Sequence, residues 1–318
     1  MPVMTDKSVH LRSFAKINLG LEILERRAGD GYHLLRTVFQ TIDLFDDLWV
    51  TPQKERRCRV EGDHPGVDWR GDTTISRAFD VLDQEYGLPH GFHVRVRKRI
   101  PPGSGLGGGS GNAAVCLLYF ADRFGIEPGE TAWPQLAARV GADVPFFLAG
   151  GTVLAEGIGE RMTLLDDFTA PSLVVALPDV EVSTARVYRG FRLTRTRGDS
   201  KIEVFLQTRR LAVLENDLEA VAFGYYPEIR AAKEALRAAG CGFAAMSGSG
   251  GAVYGIPDPG PSPALHMPGV RLVRSRCVSR QEYQERIGAW PSGKAPVFGA
   301  GIRRFESSRP STSRSGRS

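Results

Sequence analysis

The sequence has few cysteines and no long apolar run. Its four cysteines are far apart and form no C-x-x-C pair, which argues against a zinc site and favours reduced, partly buried thiols. No stretch approaches the ~18 apolar residues of a membrane-spanning helix. Residues 1–13 are polar and lack the apolar core of a signal peptide. These absences predict a cytoplasmic protein, and a length of 318 residues favours two domains.

The formal net charge of +5 is concentrated at one end of the chain. From Ala289 onward there are six basic residues and one acidic residue, so residues 1–288 have no net charge. The charge distribution therefore does not indicate a basic surface on the folded part, which nucleic-acid binding would require. The alternative of an RNA- or DNA-binding protein would depend on the tail.

Apolar periodicity predicts a mixture of strands and helices. Alternating apolar residues indicate strands at 13–24 and 92–100, and other apolar segments are typical of strands at 34–49, 173–177, 253–256 and 270–278. Helical spacing indicates helices at 74–86, 113–124, 130–140, 216–226 and 227–239. Residues 141–160 are typical of a turn followed by a strand.

A glycine-rich segment lies between a predicted strand and a predicted helix. Residues 100–112 read IPPGSGLGGGSGN and contain six glycines. Glycines allow main-chain N–H groups to converge on an anion, and the following helix adds its N-terminal dipole. The segment lacks the lysine of a P-loop and fits the dinucleotide fingerprint poorly. A flexible linker is the alternative, but linkers are rare between a strand and an apolar helix.

Two charged residues are candidates for the chemistry of phosphoryl transfer. Asp143 lies between glycine and proline in apolar surroundings, where a carboxylate would be oriented as a base requires. Lys16 is an isolated cation within a strand pattern. The local sequence leaves open the alternatives of a turn or N-cap aspartate and of a solvated lysine.

Together these segments resemble the GHMP kinases, such as galactokinase, homoserine kinase, mevalonate kinase and phosphomevalonate kinase. Within that superfamily, residues 13–287 resemble the 4-diphosphocytidyl-2-C-methyl-D-erythritol kinases most closely. The residues that carry the resemblance are AKINLGLEIL at 15–24, DGYHLLRTVFQ at 30–40, GLGGGSGNAA at 105–114, GADVPFFLAGG at 141–151, NDLE at 216–219 and MSGSG at 246–250.

The resemblance implies an α+β, two-domain GHMP kinase fold. An N-terminal ribosomal-protein-S5-like domain with the ATP loop would span residues 1–160, and a smaller C-terminal α/β domain would span 161–288. The implied function is ATP-dependent phosphorylation of the 2-hydroxyl of 4-diphosphocytidyl-2-C-methyl-D-erythritol in the non-mevalonate isoprenoid pathway. The alternative is a homoserine- or mevalonate-type GHMP kinase, against which the Gly-Tyr-His and Gly-Ala-Asp-Val-Pro segments argue.

The resemblance also implies roles for individual residues. Lys16 and Asp143 match the family's catalytic pair, and Asn18 matches a position near the substrate. Cytosine recognition would involve a set of mostly aromatic residues, namely Tyr32, His33, Thr184 and Tyr188. ATP would be bound by the first glycine-rich loop, which comprises Pro101, Pro102, Gly103, Ser104, Gly105, Leu106, Gly107, Gly108, Gly109, Ser110 and Gly111.

The implied cofactors are ATP and Mg²⁺, with Ser110 close to the metal or the phosphates. The implied partner is a small molecule with a cytidine diphosphate moiety, and neither nucleic acid nor membrane is expected as a partner. The sequence departs from the family at Gly111, where the loop often has a second serine. We expect binding to survive this loss of one hydroxyl.

Residues 289–318 match nothing in the family. They lack apolar periodicity, which predicts a disordered basic tail. Residues 304–307 can be encoded by a sequence containing GTTCGAATCC, which is typical of the T arm of transfer RNAs, and 293–296 by one that resembles a D arm. The tail is therefore interpreted as non-native read-through into a transfer-RNA gene. The alternative is a functional basic arm that binds RNA, although no aromatic or helical pattern accompanies its charges.

Overall fold

The computed structural model describes residues 7–27, 33–127, 129, 132–193, 199–259 and 266–289, together with the main chain of 303–304. A first sheet is built around two long antiparallel strands, β1 (Val9–Arg26) and β2 (His33–Gln53). All residues from 13 to 23 are buried, so β1 lies between two layers of the protein. The apolar pattern predicts both strands, and each extends further than predicted.

Four more strands complete the main part of the first sheet. They are β3 (Cys58–Gly62), β4 (Gly91–Arg97), β5 (Thr152–Gly157) and β6 (Arg161–Leu164). The strand order is β6-β5-β2-β4-β3, and β1 pairs with β2 along most of its length. All of these pairs are antiparallel except β3 with β4.

A second sheet follows in the chain and is antiparallel throughout. Its strands are β7 (Leu173–Pro178), β8 (Cys241–Met246), β9 (Val253–Pro257) and β10 (Val270–Ser275), in the order β10-β7-β9-β8. A short last strand, β11 (Arg303–Arg304), pairs its main chain in parallel with β6 of the first sheet. The rest of the predicted tail from residue 290 onward lies outside the described residues.

Nine α-helices pack on these sheets in the described part of the chain. They are α1 (Thr74–Tyr86), α2 (Gly108–Phe124), α3 (Ala132–Val140), α4 (Val144–Ala149), α5 (Thr184–Gly190), α6 (Lys201–Thr208), α7 (Glu219–Tyr225), α8 (Pro227–Ala238) and α9 (Arg280–Arg286). A short 3₁₀ turn occupies Leu211–Val213. No helix among the described residues is long and apolar enough to span a bilayer.

Helix α2 is held in place by the hydrophobic core that it forms with the first sheet. Residues 111–121 of this helix are all buried, and the Phe120 ring stacks on Phe92 of β4 at 4.3 Å between centroids. Because residues 111–121 are enclosed, the first turn of the helix has a fixed position within the first glycine-rich loop. The apolar run at 113–124 predicts this helix, which begins five residues earlier, at Gly108.

The last described helix returns to the first sheet. Tyr283 of α9 is fully buried there, packs edge-on against Phe14 of β1 and donates its hydroxyl to the carbonyl of Phe147. Ala289 is also buried in this first core.

The prediction of a turn followed by a strand at residues 141–160 is wrong in its first part. Residues 144–149 form the helix α4 before β5 begins. Pro145 lies in the first turn of α4, where its missing N–H costs nothing, and Gly150 ends the helix with a φ of +67°. A helix of six residues is too short for its periodicity to be recognised.

Candidate active site

A cleft of about 1310 Å³ lies where the two sheets meet the two glycine-rich loops. One wall is formed by side chains of β1 and β2, and another by α5 and the residues that follow it. The first glycine-rich loop (101–111) contributes Gly105, Gly107 and Ser110. The second glycine-rich loop (246–251) contributes Gly248 and Ser249.

The structure brings Lys16 and Asp143 together on the wall of this cleft. The Lys16 Nζ lies 3.5 Å from the Asp143 Oδ2 and 4.8 Å from the centroid of the Phe39 ring. Lys16 is only 3% exposed, and burial lowers its pKa below the ordinary value of 10.5. The Asp143 carboxylate opposes part of this shift because it stabilises the ammonium. The pair therefore holds a proton donor and an acceptor side by side.

Asp143 occupies the N-cap position of α4, but its side chain does not cap the helix. The carboxylate faces Lys16 and remains about one-third exposed, at 35%. This geometry separates the two interpretations that the local sequence left open. The backbone position is that of a cap, whereas the side chain is directed to the cleft and is available to accept a proton.

Asn18 lies beside this pair, two residues after Lys16 on the same face of β1. Its Oδ1 accepts a hydrogen bond from the Lys16 Nζ at 2.7 Å, and the residue is 2% exposed. The alternation of side chains along a strand predicts that the two residues share a face. Asn18 therefore contacts the Lys16 ammonium directly, in addition to lining the cleft.

The first glycine-rich loop approaches its neighbours too closely for larger residues. A Cβ on Gly105 would lie 2.2 Å from the carbonyl oxygen of Ser247. A Cβ on Gly107 would lie 2.8 Å from the Phe147 ring, and this glycine has a φ of +71°. Gly107 is the N-cap of α2 and supplies no side-chain cap. The first turn of a buried helix thus presents main-chain N–H groups at the cleft, an arrangement that suits a phosphate group.

Not every residue predicted to bind ATP directs its side chain to the cleft. Leu106 is fully buried in the core, and its carbonyl accepts a hydrogen bond from the Lys16 N–H at 2.9 Å. The Ser104 hydroxyl donates to the carbonyl of Pro101 at 2.7 Å. Any contact of Ser104 or Leu106 with ATP would therefore use the main chain.

Side chains of the NDLE segment hold the second glycine-rich loop. The Asn216 Nδ2 donates to the carbonyls of Met246 and Gly248 at 2.9 and 2.8 Å. The Glu219 Oε1 accepts from the Met246 N–H at 2.9 Å. The two loops are also joined directly, because the Ser247 hydroxyl donates to the Gly105 carbonyl at 2.9 Å.

An aromatic group lies at the other end of the cleft. The rings of His33 and Tyr188 are 5.6 Å apart, and the ring of Phe191 lies 6.1 Å from His33. Burial and the nearby Arg26 cation lower the pKa of His33, so the imidazole is neutral near pH 7. Burial raises the pKa of Tyr188 to about 12, so its phenol is protonated. Tyr32, the other predicted aromatic, lies outside the described residues.

Comparison with known proteins identifies the family. The family described as GHMP kinases N terminal domain matches residues 73–151, and GHMP kinases C terminal matches 205–265. The 4-diphosphocytidyl-2-C-methyl-D-erythritol kinase of Geobacter metallireducens is 41% identical over 252 residues, covering 79% of this chain and 89% of the relative. The kinase of the same name from Solibacter usitatus is 38% identical over 262 residues, covering 79% of this chain and 82% of the relative. This chain belongs to the 4-diphosphocytidyl-2-C-methyl-D-erythritol kinase family.

Solved structures agree with this assignment. A crystal structure of 4-(cytidine 5'-diphospho)-2C-methyl-D-erythritol kinase superposes with a TM-score of 0.69 at 33% identity, covering 84% of this chain and 98% of that one. The homoserine kinase of Cytophaga hutchinsonii, at 16% identity and a TM-score of 0.57, shares the fold. The predicted α+β GHMP kinase fold, family and ATP-dependent kinase class are therefore confirmed.

Several residues of this kinase face the cleft without having been assigned a role from the sequence. Thr37, Arg26, Phe191 and Ser249 belong to this group. Thr37 and Ser249 lie within the family motifs at 30–40 and 246–250. These motifs indicate that the segments belong to the site but do not predict which atoms the two side chains contact. Phe191 follows the short helix α5, whose seven residues have no recognisable apolar period. Thr184, which was predicted, lines the cleft, and its hydroxyl lies 2.9 Å from that of Ser249.

Proposed function

We propose that this kinase transfers the γ-phosphate of ATP to the 2-hydroxyl of 4-diphosphocytidyl-2-C-methyl-D-erythritol, as a step of the non-mevalonate isoprenoid pathway. The observation that carries the proposal is one continuous cleft with three parts. A helix N-terminus suited to phosphate lies on one side, the Lys16–Asp143 pair in between, and the His33–Tyr188 aromatic group on the other. The relatives named above carry the name of the same substrate.

The Lys16–Asp143 pair supplies the acid–base part of the reaction. The hydroxyl oxygen of the acceptor attacks the γ-phosphorus, the bond from that phosphorus to the β–γ bridging oxygen breaks, and ADP leaves. The proton of the hydroxyl passes to an oxygen of Asp143, which is partly exposed to the cleft. The Lys16 ammonium stabilises the negative charge that develops on the attacking oxygen and on the phosphoryl group.

The first glycine-rich loop is assigned to the ATP phosphates. The unbonded N–H groups in the first turn of α2 act on a phosphate as hydrogen-bond donors, and the helix dipole adds to the attraction. Gly105 and Gly107 let the main chain reach the cleft, since a Cβ at either position would collide with its neighbours. This assignment explains why glycine occupies positions 105 and 107 of the cleft wall.

The residues of the cleft fit Mg²⁺ bound mainly through the nucleotide. No group of three His, Cys, Asp or Glu residues in the described part of the chain forms a metal cage. Mg²⁺ commonly binds through one or two carboxylates plus substrate phosphates. The Ser110 hydroxyl, which lines the cleft beside the loop, would be an oxygen ligand for the metal, whereas the Asp143 carboxylate is assigned to accept the proton. The metal would offset the negative charge of the phosphates there.

The aromatic group is assigned to cytidine. The neutral His33 imidazole has one donor and one acceptor nitrogen for the polar edge of cytosine, and the Tyr188 ring has a face for stacking. Arg26, Arg189 and Arg192 line the same end of the cleft. Arginine side chains match phosphate oxygens in charge and geometry, which suits the diphosphate that joins cytidine to the sugar.

A comparison of acceptors tests the proposal. ADP release by the purified protein is measured with the cytidine-bearing substrate, with 2-C-methyl-D-erythritol 4-phosphate, with homoserine and with mevalonate. We expect turnover with the first compound and at least about 100-fold lower kcat/KM with the others, because a site built for polar groups discriminates strongly against ligands that lack them. Comparable kcat/KM with homoserine or mevalonate would contradict the proposal.

A further inference from the structure

Thr37 on β2 makes two hydrogen bonds beside the Lys16–Asp143 pair. Its hydroxyl donates to the carbonyl of Gly20 at 2.6 Å and accepts from the Asn18 Nδ2 at 2.8 Å. Thr37 lies on the cleft wall but is only 1% exposed, and its hydroxyl is occupied by these two contacts with the protein. These contacts give the Thr37 hydroxyl a fixed direction, because its single hydrogen is committed to Gly20.

The fixed hydroxyl determines which way the Asn18 amide points. With its hydrogen committed, Thr37 presents only lone pairs to Asn18, so the amide must turn its NH₂ group toward Thr37. The Oδ1 then faces the Lys16 Nζ at 2.7 Å. With the amide reversed, two donors would meet at Lys16 and two acceptors at Thr37. Both arrangements are costly for groups that are almost fully buried.

We propose that Thr37 is a positioning residue whose hydroxyl holds the Asn18 amide and, through it, the Lys16 ammonium beside Asp143. The inference rests on the proposed roles of Lys16 and Asp143 in phosphoryl transfer. The relay runs from the Gly20 carbonyl through Thr37 and Asn18 to Lys16. Ser247 adds a longer contact, with its Oγ 3.4 Å from the Asn18 Oδ1, but its closer partner is the Gly105 carbonyl at 2.9 Å.

Thr37→Val tests the relay because valine has nearly the same shape and lacks the hydroxyl. We expect kcat to fall about 10- to 100-fold, since a small misplacement of a catalytic group costs rates of this order. The KM values for ATP and for the cytidine substrate should stay within about twofold, because Thr37 acts through Lys16 and not on either substrate. Thr37→Ser restores the hydroxyl and should recover most of kcat.

Thr152→Val is the matched control. Thr152 of β5 is fully buried, and its hydroxyl also makes two hydrogen bonds, donating to the Gln40 Oε1 and accepting from the Phe168 N–H. A merely structural role for Thr37 predicts that both valine variants lose similar stability in urea denaturation and keep kcat per folded molecule. The positioning role predicts a loss of kcat in Thr37→Val alone.

Three outcomes are separable. The inference would be overturned if the wild type turns over the cytidine substrate and the kcat of Thr37→Val lies within about twofold of the wild-type kcat. A rise in the KM of the cytidine substrate at unchanged kcat would also overturn it, because Thr37 would then contact that substrate. Absence of wild-type turnover on the cytidine substrate would contradict the proposed function instead.

Discussion

The Lys16 ammonium and the Asp143 carboxylate lie 3.5 Å apart, although the two residues belong to different elements far apart in sequence. Lys16 is enclosed in the middle of β1, and Asp143 is held at the start of α4 by the packing of that helix. The ammonium is thus almost inaccessible to solvent, while the carboxylate is open to the cleft. This asymmetry fits a base that meets the substrate and a cation that remains in place.

Removing the proposed base should abolish most of the turnover. We expect Asp143→Asn to lower kcat by about 10²–10⁴, the usual effect of losing a positioned general base. The Kd of ATP should change little, because the first glycine-rich loop does not depend on this side chain. Asp179→Asn, at an exposed aspartate outside the cleft, is the control and should keep wild-type rates. Wild-type kcat in Asp143→Asn would show that another group accepts the proton.

The lowered pKa of Lys16 predicts an early loss of activity at alkaline pH. The proposed role needs the protonated ammonium, so kcat should fall as the pH rises through the pKa of Lys16. Because burial lowers that pKa, the fall should be centred below pH 10.5. The measurement is a pH–kcat profile, with circular dichroism at each pH to show that the protein stays folded. A profile that remains flat up to pH 10.5 would argue against a catalytic ammonium.

The aromatic group should affect one substrate only. We expect His33→Ala to raise the KM of the cytidine substrate by about 5- to 150-fold, corresponding to the ~1–3 kcal/mol of an unpaired buried polar group. The KM for ATP should not change. His93→Ala, on β4 and outside the cleft, should leave both KM values unchanged. Equal increases in both KM values for His33→Ala would mean that His33 supports the fold instead.

Asn216 should support the second glycine-rich loop. Asn216→Asp keeps an oxygen for the Leu218 N–H but removes the NH₂ group that bonds the carbonyls of Met246 and Gly248. Loss of these buried bonds should lower the free energy of unfolding by about 1–3 kcal/mol. Urea denaturation measures the change. An unchanged free energy of unfolding would show that the loop keeps its shape without this clamp.

Removal of the basic tail should not affect the kinase. Ala289 is buried in the core, so the cut is placed after this residue. We expect kcat to be unchanged and Tm to stay within about 2 °C. Among the described residues, the removed segment contacts the rest of the protein through the two-residue main-chain pairing of β11 with β6. A coding sequence whose codons cannot pair into transfer-RNA stems would contradict the read-through hypothesis, and a marked loss of stability would assign the tail to the native fold.

Local sequence patterns are sufficient to predict the long strands and helices and the contacts between side chains of one strand. The alternation in β1 places Lys16 and Asn18 on one face, and the structure shows them in contact. The helix at 74–86 has the predicted bounds because its apolar face is regular and Thr73 caps it. In contrast, the meeting of Lys16 with Asp143 depends on the packing of α4 against α2 and α3, which no local period encodes.

The remaining part of the site could not be predicted from local patterns. Phe191 approaches His33 because the residues that follow α5 come close to the start of β2, and α5 is too short for its periodicity to be recognised. The role of Thr37 depends on which partner takes its single hydrogen, which requires the distances. Contacts between distant segments therefore carry most of the information that the sequence patterns lack.

Phosphorus-31 NMR of the reaction products tests the central claim most directly. The protein is incubated with ATP, Mg²⁺ and 4-diphosphocytidyl-2-C-methyl-D-erythritol, and the same mixture with Asp143→Asn serves as the control. The account predicts a new phosphomonoester resonance with the diphosphate resonances of the substrate intact, and a greatly reduced rate in the variant. ATP consumption without a phosphomonoester on the cytidine substrate, or an equal rate in Asp143→Asn, would contradict it.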